Sequence, residues 1–107
     1  MPERKKFAPP AIQEFAPKLA ELTDTVLFGD VWERPGLSPR DRSLVTVATL
    51  AALYRTDQLS FHLSKALENG VTQEELIEAL THQAFYAGWP NAMTAMTELK
   101  AIVDTSE

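Results

Sequence analysis

The sequence contains no cysteine. This absence excludes a disulfide bond, a thiol nucleophile, a zinc–thiolate site and an iron–sulfur cluster. The four glycines are isolated from one another, so there is neither a glycine-rich phosphate loop nor a dinucleotide-binding fingerprint. The two histidines, His62 and His82, are 20 positions apart and lack metal-binding spacing. We therefore expect neither a metal nor a cofactor.

Positive charge and long apolar runs are also scarce. Ten Lys and Arg residues stand against 15 Asp and Glu residues, which gives a net charge of −5. Without a basic stripe, nucleic acid is not an expected partner. No apolar run approaches the roughly 18 residues of a membrane span. The N-terminal residues lack the apolar segment of a signal peptide, and we therefore expect a cytoplasmic protein.

The sequence is long enough for one domain with a modest core, at a size where oligomerisation often adds stability. Residues 1–9 are polar and proline-containing, which predicts an extended arm before a single domain over residues 10–107. Apolar residues recur at helical spacing and no segment alternates with period two. The chain is therefore predicted to be all-α, with about five helices. Pro17 interrupts the first of these and either kinks it or begins it.

Capping signals predict where the helices begin and end. Thr72 and Glu75 have the spacing of a capping box, and Gly88 is placed to end the helix that follows. Ser38 is the expected N-cap of an earlier helix, and Thr56 of the helix between them.

The helix between Thr72 and Gly88 has two distinct faces. At about 100° per residue, one face is an apolar arc that requires only a core, and it comprises Leu76, Ile77, Leu80, Ala84 and Ala87. The other face places His82 one turn before Tyr86, alongside Glu75, Glu78 and Ala79. An imidazole beside a phenol suits acid–base chemistry. The alternative is that this face meets water or another subunit.

Two other polar features have alternative interpretations. Arg42, Thr46 and Thr49 form a polar strip on an otherwise apolar helix. This strip either faces solvent or lines a pocket in which Arg42 binds a carboxylate. His62 lies within an apolar stripe, where it is either a core histidine bonded to a backbone carbonyl or a functional residue.

Four motifs, in this order, resemble the carboxymuconolactone decarboxylase family over about residues 26–100. They are Trp32-Glu-Arg-Pro-Gly-Leu37, Arg40-Asp-Arg-Ser-Leu44, His62 with Asn69-Gly-Val-Thr72, and His82 with Tyr86-Ala-Gly-Trp-Pro90. The resemblance implies a compact all-α fold shared with AhpD-like proteins. It also implies homo-oligomers, trimers or hexamers, with pockets near subunit contacts. The peroxidase branch of that superfamily needs a cysteine pair where this sequence has Arg55 and Gln58, and it is therefore excluded.

By resemblance, the expected activity is cofactor-free decarboxylation of a small carboxylated lactone in the catabolism of aromatic compounds. In the family's namesake substrate, the lactone carbonyl accepts the electron pair as carbon dioxide leaves. Such an enzyme must bind the remaining carboxylate, stabilise the oxyanion and deliver a proton to carbon.

Residue type and helix face suggest which residues perform these steps. The predicted catalytic residues are His82, which delivers the proton, and His62. The predicted substrate-binding residues are Arg42, Arg34, Tyr86, Trp32 and Trp89. Two alternatives stay open: a related isomerase or lyase acting on another unsaturated oxo-acid, and a non-catalytic oligomeric protein that binds a small molecule.

Overall fold

The computed structural model describes residues 6–105, and all regular structure among them is helical. This confirms the all-α prediction. Six α-helices are present in this part of the chain, against about five predicted. Contacts divide the chain between Leu37 and Ser38 into two compact units. Within residues 6–105, none of the helices combines the length and the hydropathy that a membrane-spanning segment requires.

The first unit accounts for the additional helix. Its elements are α1 (Pro10–Phe15), α2 (Pro17–Leu22), a π-helical turn (Thr23–Leu27) and a 3₁₀ turn (Val31–Glu33). Ala16 separates the first two at φ −133° and ψ 70°, because a residue before proline avoids the helical region. Pro17 then occupies the first position of α2, where its missing N–H costs no hydrogen bond. Pro17 therefore begins a helix.

Asp24 holds the first unit together from within the π-helical turn. Its carboxylate is buried and accepts hydrogen bonds from the amides of Phe7 (2.7 Å) and Ala8 (3.1 Å) and from Nε2 of Gln13 (3.0 Å). The Phe7 ring also stacks on Phe28, with centroids 4.4 Å apart. Residues 7 and 8 of the predicted arm are thus fixed to the helical turn, while residues 1–5 lie outside the described part of the chain.

The second unit contains four helices: α3 (Pro39–Ala52), α4 (Thr56–Glu68), α5 (Gln73–Ala87) and α6 (Trp89–Thr105). Helix α3 packs on the other three, and α6 packs on α4 and α5. Their shared core consists of Val47, Ala51, Leu59, Leu63, Ala66, Val71, Leu76, Leu80, Ala95 and Leu99. Burial of each leucine contributes about 2 kcal/mol, so this core is the main source of stability for the unit.

The predicted caps are present at both ends of α5 and at the start of α3. Ser38 Oγ accepts from the Asp41 amide at 3.1 Å. Thr72 Oγ1 accepts from the Glu75 amide at 3.1 Å, and Glu75 Oε1 accepts from the Thr72 amide at 2.9 Å, which completes the capping box. Gly88 ends α5 at φ 111°, a conformation that glycine adopts readily.

The predicted cap at Thr56 was wrong by one residue. Thr56 is the first helical residue of α4, and its N-cap, Arg55, makes no side-chain capping bond. The chain turns through Tyr54 at φ 60°, and the Arg55 carbonyl then accepts from the amides of Gln58 and Leu59. Helical bonding therefore begins one residue earlier than the capping signal indicated.

Candidate functional site

A groove of about 700 Å³ runs along the face of α5 that does not contribute to the core. Helix α5 provides most of its surface and α3 provides the rest. Its lining residues are Leu44, Ala48, Glu75, Glu78, Ala79, His82, Gln83 and Tyr86. All five residues predicted to share the polar face of α5 are among them. The groove therefore has an apolar side from α3 and a polar side from α5.

His82 and Tyr86 form an exposed aromatic pair in this groove. Their rings stack with centroids 5.0 Å apart and planes inclined by 29°. Both side chains are exposed, and Tyr86 retains 82% of its accessible surface. The helical spacing of four residues brings them together without any help from the core. A ligand in the groove can thus meet an imidazole and a phenolic hydroxyl one turn apart.

Carboxylates dominate the charge of the groove. Glu75 and Glu78 both line it. The hydrogen bond from the Thr72 amide lowers the pKa of Glu75, and the nearby Arg40 lowers it further. Arg40 donates to Glu75 through Nη2 and to Asp41 through Nη1, at 2.9 Å for the second. Arg40, which was not predicted as a site residue, therefore places a positive charge beside the groove, and two carboxylates already bind it.

Gln83 forms a hydrogen bond between the two helices that line the groove. Its Nε2 donates to the carbonyl of Ala48, which joins α5 to α3. Its Oε1 is buried and has no hydrogen-bond partner within residues 6–105. Gln83 was also missed at the sequence level, because its position at the border between the two faces of α5 gives no periodic signal.

Arg42 is half-buried on α3 and does not line the groove. In the predicted polar strip, Thr46 Oγ1 donates to the Arg42 carbonyl at 2.7 Å and Thr49 Oγ1 donates to the Val45 carbonyl at 2.8 Å. These hydroxyls bond within their own helix, and none of the three strip residues belongs to the groove.

His62 is half-buried on α4, outside the groove lining. Its ring packs in a T-shaped arrangement with Phe61, at a centroid distance of 5.0 Å. Burial, and secondarily the positive charge of Lys65, lowers its pKa below the ordinary value of 6.5. His62 is therefore neutral at neutral pH, and the structure does not bring it together with His82.

The remaining predicted residues lie outside the groove lining as well. Trp32 and Arg34 belong to the first unit, where Trp32 stacks on Phe28 at 5.8 Å. Trp89 begins α6, is 59% exposed and packs in a T-shaped arrangement with Phe85, with ring centroids 5.7 Å apart. Of the seven predicted site residues, the groove thus contains His82 and Tyr86. Within the described residues, no group of three or more His, Asp or Glu side chains could hold a metal ion.

Comparison with known protein families matches residues 17–101 to the carboxymuconolactone decarboxylase family. The chain belongs to this family. The matched range includes all eight residues of the groove. Membership confirms the resemblance drawn from the four sequence motifs.

Two curated relatives of this family member were found. A 4-carboxymuconolactone decarboxylase from Acinetobacter baylyi is 42% identical over 85 residues, which are 79% of this chain and 63% of that protein. A nitrosuccinic acid decarboxylase from Metarhizium robertsii is 40% identical over 76 residues, which are 71% of this chain and 53% of that protein. The aligned region thus spans between about half and two thirds of each relative.

Proposed function

We propose that this chain is a decarboxylase of small organic acids and that its reaction takes place in the groove on α5. The observation that carries the proposal is the stacked pair of His82 and Tyr86, exposed in a groove of a carboxymuconolactone decarboxylase family member. The names of both relatives support it, since each is a decarboxylase.

The two named acids suggest the substrate class. In 4-carboxymuconolactone, the electron pair released with carbon dioxide passes through an alkene to a lactone carbonyl. In nitrosuccinic acid, a nitro group on the carbon that bears the carboxyl group can accept the pair. We therefore propose a substrate whose departing carboxylate lies next to such an electron sink. The enzyme has to stabilise negative charge on the oxygen of that sink and then protonate carbon.

The groove residues suit these two tasks. As the carbon–carbon bond breaks, carbon dioxide leaves and its electron pair moves to the oxygen of the sink. The Tyr86 hydroxyl donates a hydrogen bond to that oxygen. The protonated His82 imidazole then transfers its proton to carbon and becomes neutral. The stack between the two rings limits how far each can rotate, which helps to keep both donors on one side of the substrate.

Other parts of the site remain predictions. Binding of a second carboxylate by Arg42 or Arg34, exclusion of water by Trp32 and Trp89, and a role for His62 are proposals of this kind. So are a cytoplasmic location, reaction without a cofactor, and assembly into a trimer or hexamer. Coverage of the groove by another subunit would strengthen its electrostatic interactions, because water would be displaced from them.

The proposal is tested by carbon dioxide release from 4-carboxymuconolactone and from nitrosuccinic acid with the purified chain. We expect release from at least one acid, and a decrease of about 100-fold or more in His82→Gln because the proton donor is lost. Thr81→Val is the matched control, since Thr81 is exposed on α5 and does not line the groove. Absence of release from both acids by folded protein would contradict the proposal for these substrates.

A further inference from the structure

The side chain of Gln83 has a fixed orientation. Its Nε2 donates to the Ala48 carbonyl on α3, a residue 35 positions earlier in the chain. Rotation of the amide by half a turn would point Oε1 at that carbonyl, and two acceptors would then face each other. The bond to Ala48 therefore determines where Oε1 lies.

The oxygen of this amide lacks a partner. Oε1 is buried and accepts no hydrogen bond from residues 6–105. Buried polar atoms in folded proteins are nearly always paired, so an unpaired acceptor beside a ligand groove suggests a donor that the ligand supplies. A ligand in the groove would lie beside this amide, because Gln83 is one of the lining residues.

The surrounding charges also favour a ligand that donates hydrogen bonds. Glu75 and Glu78 line the same groove as carboxylates, and the nearby Arg40 is already bound by Glu75 and Asp41. A ligand that offers only hydrogen-bond acceptors would be repelled by the Glu75 and Glu78 carboxylates. A hydroxyl or N–H group would relieve both the unpaired oxygen and part of the negative potential.

We propose that Gln83 is a specificity-determining residue whose Oε1 accepts a hydrogen bond from a hydroxyl or N–H group of the substrate. This chain would then prefer acids that carry such a donor in addition to the carboxylate that leaves. The inference rests on the proposed function, since it concerns the substrate of the same groove. Neither 4-carboxymuconolactone nor nitrosuccinic acid, when ionised, offers a donor of this kind.

Calorimetric binding to two saturated γ-lactone carboxylates, one with a ring hydroxyl and one without, tests the proposal. Both lack the alkene needed for reaction, so binding is measured without turnover. We expect the wild-type chain to bind the hydroxylated lactone about tenfold more tightly, as one additional hydrogen bond to a buried acceptor would give. Gln83→Leu should bind the two lactones equally.

Asn91→Leu is the matched control. Asn91 Nδ2 donates to the Ala52 carbonyl at 2.9 Å, which is the same kind of bridge to α3, but Asn91 does not line the groove. This variant should retain the tenfold preference. Equal binding of both lactones by the wild-type chain would overturn the proposal, and so would an unchanged preference in Gln83→Leu. The wild-type comparison remains decisive if that variant fails to fold.

The outcomes separate this inference from the proposed decarboxylation. A donor preference that depends on Gln83, together with no carbon dioxide release from any donor-bearing acid tested, would retain the specificity role and contradict the reaction. Carbon dioxide release with no donor preference would support the reaction and contradict the specificity role of Gln83.

Discussion

The two faces of α5 differ in almost every physical property. On the core face, Leu76 and Leu80 are fully buried. On the groove face, Tyr86 is 82% exposed and stacks on His82, which is also exposed. Stability and the proposed chemistry therefore depend on different sides of one helix. Substitutions on one face should therefore leave the property of the other face nearly unchanged.

The largest effect on stability is expected from the core face. Leu80→Ala should lower the free energy of unfolding by about 3 kcal/mol, because it removes buried methyl groups and leaves a cavity. Urea denaturation followed by circular dichroism measures this loss. Turnover per folded molecule should change little. If turnover fell as steeply as stability, the two faces would not be separable.

A smaller effect is expected from the groove face. Tyr86→Phe retains the aromatic stack but removes the hydroxyl that donates to the oxyanion, and it should lower kcat by about tenfold. The free energy of unfolding should stay within about 0.5 kcal/mol of wild type, since the side chain is exposed. Steady-state kinetics measures kcat, and urea denaturation of the same preparations measures the free energy of unfolding. An unchanged kcat would remove the hydroxyl from the mechanism.

The smallest effect is expected on the pH dependence of stability and comes from His62, which lies on α4 and therefore on neither face of α5. Burial lowers its pKa in the folded state below the ordinary 6.5, so the unfolded chain binds the proton more readily. The stability that His62 contributes is therefore complete above about pH 6.5 and is lost as the pH falls below it. Thermal unfolding between pH 7 and about pH 5 should show a smaller decline in His62→Gln than in wild type. An equal decline in stability in both proteins would contradict a lowered pKa of His62 in the folded state.

Local signals were sufficient for most helix boundaries. The capping box of Thr72 and Glu75, the N-cap Ser38 and the helix start at Pro17 each depend on residues within one turn of one another. Thr56 was misplaced because the preceding turn uses Tyr54 at positive φ, and tyrosine gives no sequence signal for that conformation.

The site was predictable only where its geometry is local. His82 and Tyr86 could be paired from their spacing on one helix. The contacts of Gln83 with Ala48 and of Arg40 with Glu75 each join residues 35 positions apart. Such contacts depend on how α3 packs against α5, which one sequence does not specify. The same reason explains why Arg42, on α3, could not be excluded from the groove beforehand.

We propose above all that the substrate binds at the groove face of α5, and the two histidines of the chain allow this to be tested directly. Imidazole NMR signals can be followed while a saturated, unreactive carboxylated lactone is added, with His62→Gln used for assignment. We expect the His82 signals to shift with saturable binding while those of His62 stay in place. Saturable shifts of His62 with His82 unchanged would contradict it and move the site away from the groove.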